Sequence, residues 1–191
     1  MRRPIIAILG PSEASPVELS HARALGSLCA RAGWIVLTGG RPAGVMAEAV
    51  LGAKEVPGSI TIGILPDTDG PVAEGIDVAI RTDVGHARNN INVLTGDVVV
   101  ACGVSSAGTA SEVALALRNG RPTVLLGAAP EAVAFFRDFV PDLLHLAASP
   151  AGAVDIIENR LDVRRAPPWP TTAPPQQAPP VPAGSRRQPI A

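Results

Sequence analysis

One segment of the chain combines small polar residues and a carboxylate directly after a short apolar run. Residues 97–103 are mostly β-branched and apolar, which is typical of a strand buried on both faces of a parallel sheet. The residues that follow include Ser105, Ser106, Gly108, Thr109 and Glu112. Backbone N–H groups at the start of a helix bind anions, and small side chains let a ligand approach them closely. The segment therefore predicts a phosphate-binding loop at the carboxyl end of a strand, where open α/β sheets bind their ligands.

The same residues fit a second interpretation. Thr109 and Glu112 have the spacing of a capping box, in which Thr109 caps a helix and Glu112 reaches back to the N–H of Thr109. On this interpretation Glu112 only stabilises the start of a helix. The two interpretations are compatible, because a capped helix end can still hold a phosphate.

Three further loops carry residues suited to the same task, and they contribute Gly10 and Ser12, then Gly39, Gly40 and Gly44, then Arg88 and Asn89. We expect these loops to gather at one edge of the sheet, because parallel strands end there. Arg41 lies in the second of them, and an arginine fork binds phosphate with two parallel hydrogen bonds. His86 lies in the third loop, and we interpret it as a solvated turn residue.

The usual signatures of other ligand sites are absent from the sequence. It has no G-x-x-x-x-G-K-[ST] motif, and no G-x-G-x-x-G follows the first apolar run. The three histidines are scattered, and no cluster of histidine, cysteine and carboxylates has the spacing of metal ligands. The residues themselves therefore imply no resident cofactor and no metal site.

Apolar runs alternate with helical patterns along residues 1–165. The alternation predicts an α/β fold, a Rossmann-like three-layer sandwich whose central sheet is mostly parallel. We predict strands at 4–9, 34–37, 59–65, 78–80, 97–103, 123–126 and 143–147. We predict helices that end at Gly33 and Gly120, and others at 45–53, 87–94, 131–140 and from 150 onward.

Residues 166–191 differ sharply in composition from the rest. They hold nine of the 20 prolines, separated mainly by alanine, threonine and glutamine. Such a segment cannot bury a core, so we predict a disordered or polyproline-like tail. It is either passive or a docking segment for a partner that offers an aromatic groove.

The overall composition excludes several functions. The net charge is −1 and no basic block occurs in the first 165 residues, which argues against a nucleic-acid partner. No run approaches the ~20 apolar residues of a membrane span. Two cysteines make no disulfide framework, so we expect reduced thiols and a cytoplasmic protein, with Cys102 a buried apolar residue.

Two series of motifs resemble a known superfamily. The first is Thr38-Gly39-Gly40, Gly44-Val45-Met46, Gly52-Ala53 and Gly63-Ile64-Leu65-Pro66; the second is Ala87-Arg88-Asn89, the strand led by Asp97, and Gly108-Thr109-Ala110-Ser111-Glu112. In order and spacing they are similar to the "lonely guy"-type Rossmann superfamily, formerly often labelled lysine decarboxylase-like. Within it, residues 4–160 most resemble the molybdenum-cofactor carrier-like branch, where Ala-Arg-Asn precedes an Asp-led strand.

The resemblance to the carrier branch implies binding without catalysis. It implies a phosphorylated nucleotide-like or pterin ligand, with the molybdenum cofactor as possible cargo, and a homo-oligomer, either a dimer or a tetramer. The ligand would lie at the glycine-rich loops, with Arg88 as its counter-charge. This is the function that we expect first.

The hydrolase branch of the superfamily implies the alternative. Its members cleave the N-glycosidic bond of a nucleoside 5'-monophosphate with the motif P-G-G-x-G-T-x-x-E and an upstream arginine. By this resemblance Arg88 and Glu112 would be catalytic. The chain has Val104-Ser105-Ser106 in place of Pro-Gly-Gly, and Asn89-Asn90 where a lysine is expected, and both departures favour binding over hydrolysis. A third hypothesis is an assembly module that acts through its tail.

Overall fold

A computed structural model describes residues 2–165, and its centre is a seven-stranded parallel sheet. The strands are β1 (Ile5–Leu9), β2 (Ile35–Thr38), β3 (Thr61–Leu65), β4 (Val78–Arg81), β5 (Val98–Cys102), β6 (Thr123–Leu126) and β7 (Leu144–Ala147). Their order is β4-β3-β2-β1-β5-β6-β7, and all six pairings are parallel. The prediction of an α/β, Rossmann-like fold is confirmed, and the sheet is wholly rather than mostly parallel.

Six helices cover the two faces of the sheet: α1 (Pro16–Arg31), α2 (Gly44–Lys54), α3 (Arg88–Thr95), α4 (Ala107–Arg118), α5 (Pro130–Arg137) and α6 (Pro150–Arg165). α1, α2 and α6 pack on one face, around Leu25, Val45 and Ile157. α3, α4 and α5 pack on the other, through Val93, Ala116 and Phe136. Aliphatic residues fill both layers, because the chain has few aromatics.

Several helix boundaries differ from the prediction. α5 ends at Arg137, three residues before the predicted end, with Asp138 as its C-cap. A short 3-10 helix, Gly85–Ala87, precedes α3. α4 begins at Ala107, so Gly108 lies in its first turn and not in a loop.

The chain reverses its direction across the sheet between β1 and β5. From β1 it proceeds outward through β2 and β3 to the edge strand β4, and it then returns to place β5 on the other side of β1. At such a switch point the loops after the two central strands diverge and leave a crevice at their carboxyl ends. Both strands are almost entirely buried, so the crevice has a fixed floor.

α1 and α2 cross at unusually close range. A Cβ on Gly26 would collide with the carbonyl oxygen of Ala49, and a Cβ on Gly52 would collide with the carbonyl oxygen of Arg23. Glycine is required at both positions because backbone meets backbone there. The two helices therefore form one tightly packed pair.

Within residues 2–165, no helix is long and apolar enough to cross a membrane. The predicted tail, residues 166–191, lies outside the described residues.

Candidate functional site

A polar cleft of about 100 Å³ opens at the carboxyl ends of β1 and β5. The loops after β1, β2 and β5 and the start of α3 surround it. Its lining comprises Ile8, Leu9, Gly10, Ser12, Gly39, Arg41, Met46, His86, Arg88, Asn89, Ser106, Gly108, Thr109 and Glu112. The cleft thus lies at the switch point, where the topology predicts a ligand.

Arg88 is the buried cation of this cleft. The residue is only 7% exposed, and its Nε has no hydrogen-bond partner. No carboxylate of the described residues forms an ion pair with it. Burial lowers the pKa of the guanidinium, which stays protonated at neutral pH because arginine is so basic. A buried, unpaired guanidinium is costly, and an anion in the cleft would offset that cost.

Glycine at position 39 makes room for this arginine. A Cβ on Gly39 would collide with Nη1 of Arg88 and would also approach the sulfur of Met46. The glycine therefore lets the guanidinium pack closely against the backbone after β2. Any larger residue would push Arg88 out of its position.

Glu112 enters the cleft from α4, held by an asparagine. Asn92 donates from Nδ2 to Oε1 of Glu112 over 2.9 Å, and both side chains are buried. Burial raises the pKa of Glu112, while the hydrogen bond from Asn92 and the charge of Arg88 act in the opposite direction. Burial thus opposes the charged forms of both Arg88 and Glu112. The carboxyl of Glu112 therefore binds its proton more tightly than an exposed carboxyl does.

The N-terminus of α4 forms one side of the cleft. Ser106 is its N-cap, and its Oγ accepts a hydrogen bond from the N–H of Thr109 over 3.2 Å. The hydroxyls of Ser106 and Thr109 are 2.9 Å apart. The capping-box interpretation of Thr109 and Glu112 is wrong, because the helix starts earlier and Glu112 bonds to Asn92 instead of to the backbone. Free N–H groups and hydroxyls at this helix end suit a phosphate.

The structure gathers nine of the predicted site residues around the cleft: Gly10, Ser12, Gly39, Arg88, Asn89, Ser106, Gly108, Thr109 and Glu112. Three others lie outside its lining. Gly40, with φ of 74°, packs against Gly63, and Gly44, with φ of 53°, lets α2 start against the carbonyl of Pro11.

Ser105 faces the opposite side of the loop. Its hydroxyl donates to Oε1 of Glu18 over 3.1 Å and lines a separate cavity of about 380 Å³. Adjacent loop residues point in opposite directions here, so Ser105 cannot reach a ligand that contacts Ser106 in the present arrangement.

Cys102, at the end of β5, is fully buried, and burial raises its pKa to about 12. Its prediction as an inert apolar residue agrees with that placement.

Sequence reasoning missed Asn92. Asn92 follows Arg88 by one helical turn, so its spacing on a single helix face was the available signal. His86 is exposed as predicted, but it lines the mouth of the cleft. It lies on the 3-10 helix, which follows Asp83, a residue with φ of 53°. That left-handed conformation is uncommon outside glycine.

Similarity to known proteins agrees with this geometry. The molybdenum cofactor binding protein of Rippkaea orientalis is 44% identical with a TM-score of 0.80, over 84% of this chain and 99% of that one. The molybdenum cofactor carrier protein of Chlamydomonas reinhardtii is 47% identical with a TM-score of 0.79, over the same shares of each chain. An uncharacterised protein of Archaeoglobus fulgidus is 35% identical over 116 residues, 61% of this chain and 75% of that protein.

The profile of one protein family covers most of the chain. It matches residues 3–154, which span all seven strands and the complete cleft. The fold, the switch-point cleft and this match lead to one assignment: the chain belongs to the SLOG cluster4 family.

Proposed function

We propose that this protein binds a phosphorylated pterin of the molybdenum-cofactor class and carries it without converting it. The observation that carries the proposal is the buried guanidinium of Arg88, whose Nε has no protein partner and whose side chain lines the cleft. An anionic ligand would supply the counter-charge that no ion pair of the described residues provides. Ser106 and Thr109 offer hydroxyl and N–H groups to the same anion.

The size of the cleft supports recognition of one end of the ligand. A cleft of about 100 Å³ has room for a phosphate or an oxo-metal group at its deep end. The remainder of the ligand would lie toward the exposed Arg41 and His86 at the mouth.

Similarity supports the choice of ligand class. The relatives at 44% and 47% identity are described as molybdenum cofactor binding and carrier proteins. A pterin phosphate with oxo ligands on its metal is anionic at both ends, which suits a cleft with arginines and helix N–H groups. Inorganic phosphate or molybdate should therefore compete for the deep part of the cleft.

The test is cofactor retention by purified protein. The full chain is mixed with molybdenum cofactor released from a molybdoenzyme and passed through gel filtration, and molybdenum and pterin are measured in the protein peak. Arg88→Ala should weaken retention by about 100-fold or more, because it removes a buried charged donor. Arg118→Ala is the matched control, since Arg118 is exposed at the far end of α4. Equal retention by Arg88→Ala and the native chain would contradict the proposal.

Hydrolysis of a nucleoside 5'-monophosphate is the second candidate, and Glu112 is the observation that favours it. Its buried carboxyl shares the cleft with Arg88, so a ribose phosphate held by Arg88 would present its sugar near an acid–base group. Release of free base from a panel of nucleotides would identify this activity. Glu112→Gln should then lower the rate by ~10²–10⁴-fold. No release from any nucleotide would leave the carrier proposal standing alone.

We also propose that the chain forms a homo-oligomer through the face that carries α3. Val78 and Ile80 on the edge strand, and Ile91 and Leu94 on α3, are exposed apolar residues on that face. No helix connects β3 to β4, so α3 alone covers this part of the sheet. Sedimentation should show a dimer or tetramer for the native chain and a monomer for Ile80→Glu. An unchanged mass in Ile80→Glu would overturn this interface.

A further inference from the structure

All three phenylalanines of the chain form one cluster at the end of α5. The ring centroid of Phe135 lies 5.0 Å from that of Phe136 and 5.2 Å from that of Phe139, and the ring planes are nearly perpendicular. Phe136 is buried against the core, whereas Phe135 and Phe139 are 62% and 57% exposed. Edge-to-face packing fixes the two outer rings relative to each other. We call these three residues the phenylalanine surface.

Within residues 2–165, the exposed aromatic side chains all belong to this surface. The other aromatic residue there, Trp34, is only 6% exposed. Full burial of a phenylalanine side chain contributes about 1.5–3 kcal/mol, so leaving two of them in water forgoes a substantial gain. A contiguous exposed aromatic cluster is typical of a surface that binds something.

The chain itself supplies a segment with the matching chemistry. Proline-rich segments in the polyproline conformation bind aromatic surfaces, because their rigid rings pack on aromatic faces at little cost in entropy. Residues 166–191 contain nine prolines, including Pro168 and Pro170 on either side of Trp169. We propose that this segment docks on the phenylalanine surface of its own chain.

The charges around the surface favour the same occupant. Glu131, Asp138 and Asp142 are exposed in or next to α5, against a single exposed cation, Arg137. The only charged side chains of residues 166–191 are Arg186 and Arg187. An acidic rim and a basic segment attract each other, and this attraction weakens as salt is added.

The length of the segment allows the contact within one molecule. α6 ends at Arg165, and 26 residues follow it. At ~3.1 Å per residue they reach about 80 Å. A domain of this size has a radius of gyration of about 15 Å and so a diameter of about 40 Å. Pro179 and the prolines after it lie 14 or more residues past Arg165, so at this rise they can cross the ~40 Å of the domain to the phenylalanine surface. Tethering gives the segment a local concentration of about millimolar, so a weak contact is sufficient.

The experiment uses the full chain labelled with fluorophenylalanine, whose fluorine spectrum has one resonance for each of the three rings. Combined substitution of Pro179→Ser, Pro180→Ser and Pro182→Ser should shift the resonances of Phe135 and Phe139 and leave that of Phe136 nearly in place. The matched control, Gln176→Ala with Gln177→Ala, changes the same segment without removing an aromatic or a proline. It should cause smaller shifts.

The possible outcomes separate the occupants. Shifts that are independent of protein concentration support docking within one chain. Shifts that disappear on dilution of the native chain indicate the segment of a second copy and overturn the proposal. Unchanged resonances in the triple variant also overturn it. Phe135→Ser with Phe139→Ser tests the contact from the other side, since it should speed trypsin cleavage at Arg186 and Arg187 without altering the fold.

Discussion

The starts of α1 and α4 have similar sequences but different structures. Both segments place a hydroxyl residue three positions before a glutamate, at Ser15 and Glu18 and again at Thr109 and Glu112. At α1 both hydrogen bonds of the capping box are present: Glu18 N–H donates to Ser15 Oγ, and Glu18 Oε2 accepts from Ser15 N–H. At α4 the cap is Ser106, and Glu112 lies more than one turn inside the helix.

The difference separates a helix start that only caps its helix from one that lines a polar cleft. At α1 Ser15 and Glu18 satisfy each other's N–H groups and Pro16 has no N–H, so few donors remain at this helix end for a ligand. At α4 a serine alone caps the helix, and the glutamate is held by Asn92 instead. First-turn N–H groups then remain for an anion beside the buried Arg88. The same local pattern therefore stabilises the fold in one place and leaves a polar cleft in the other.

Gly103→Ala should have the largest effect, because Gly103 links both helix starts. Its φ is 75°, and a Cβ there would collide with Oε1 of Glu18. The left-handed conformation costs roughly 1–2 kcal/mol in alanine, and loss of the α1 cap costs about 1 kcal/mol more. Urea unfolding should show a loss of about 2–3 kcal/mol. Gly33→Ala is the matched control, with φ of 78° and open space around it, and an equal loss there would show that the Glu18 contact contributes nothing.

Removal of the two capping serines should cost equal stability but unequal binding. Ser15→Ala and Ser106→Ala should each lower the free energy of unfolding by about 1 kcal/mol. Only Ser106→Ala should also weaken cofactor retention, since its hydroxyl lines the cleft. Urea unfolding and gel-filtration retention on the same two variants measure both effects. Weakened retention in Ser15→Ala would contradict the division between the two helix ends.

The smallest effect concerns the pH dependence of stability. The raised pKa of Glu112 means that the folded chain holds this proton more tightly than the unfolded chain does. Stability should therefore fall as the pH rises from about 4.5, the ordinary value of the carboxyl, until the raised pKa is passed. Glu112→Gln should remove that part of the slope and should match the native chain in slope below pH 4.5.

Glu18→Gln is the control for the pH experiment. A glutamine at the third helical position also closes a capping box, so its stability at neutral pH should stay close to that of the native chain. Thermal unfolding from pH 3 to pH 8 on the three proteins is the measurement. A native slope that persists unchanged in Glu112→Gln would assign it to another group.

Sequence patterns predicted the fold well because burial leaves a strong signature. Strands such as β1 and β5 are continuous apolar runs that are buried on both sides, and only a parallel sheet covered by helices buries them so. The helix ends were less accessible. Both Ser106 and Thr109 can cap a helix. Which of them does so depends on where β5 ends and the chain turns, at Gly103.

The candidate site was predictable in its residue types and less so in its orientations. Glycine, serine and arginine after parallel strands indicated an anion cleft, and the structure gathers Arg88, Ser106 and Glu112 there. The opposite directions of Ser105 and Ser106 depend on loop geometry that no spacing encodes. The role of Asn92 depends on α3 facing α4, which is a tertiary contact.

The close crossing of α1 and α2 at Gly26 and Gly52 limits which walls of the cleft can move. Two helices in backbone contact have no side-chain layer between them that could rearrange, so thermal motion displaces them together. The loops after β1 and β2 lead into these helices, so Gly10, Ser12 and Gly39 travel with them. We therefore expect this wall of the cleft to move as one rigid body. The opposite wall, where His86 lies on a single exposed 3-10 turn, is the wall that can change its shape.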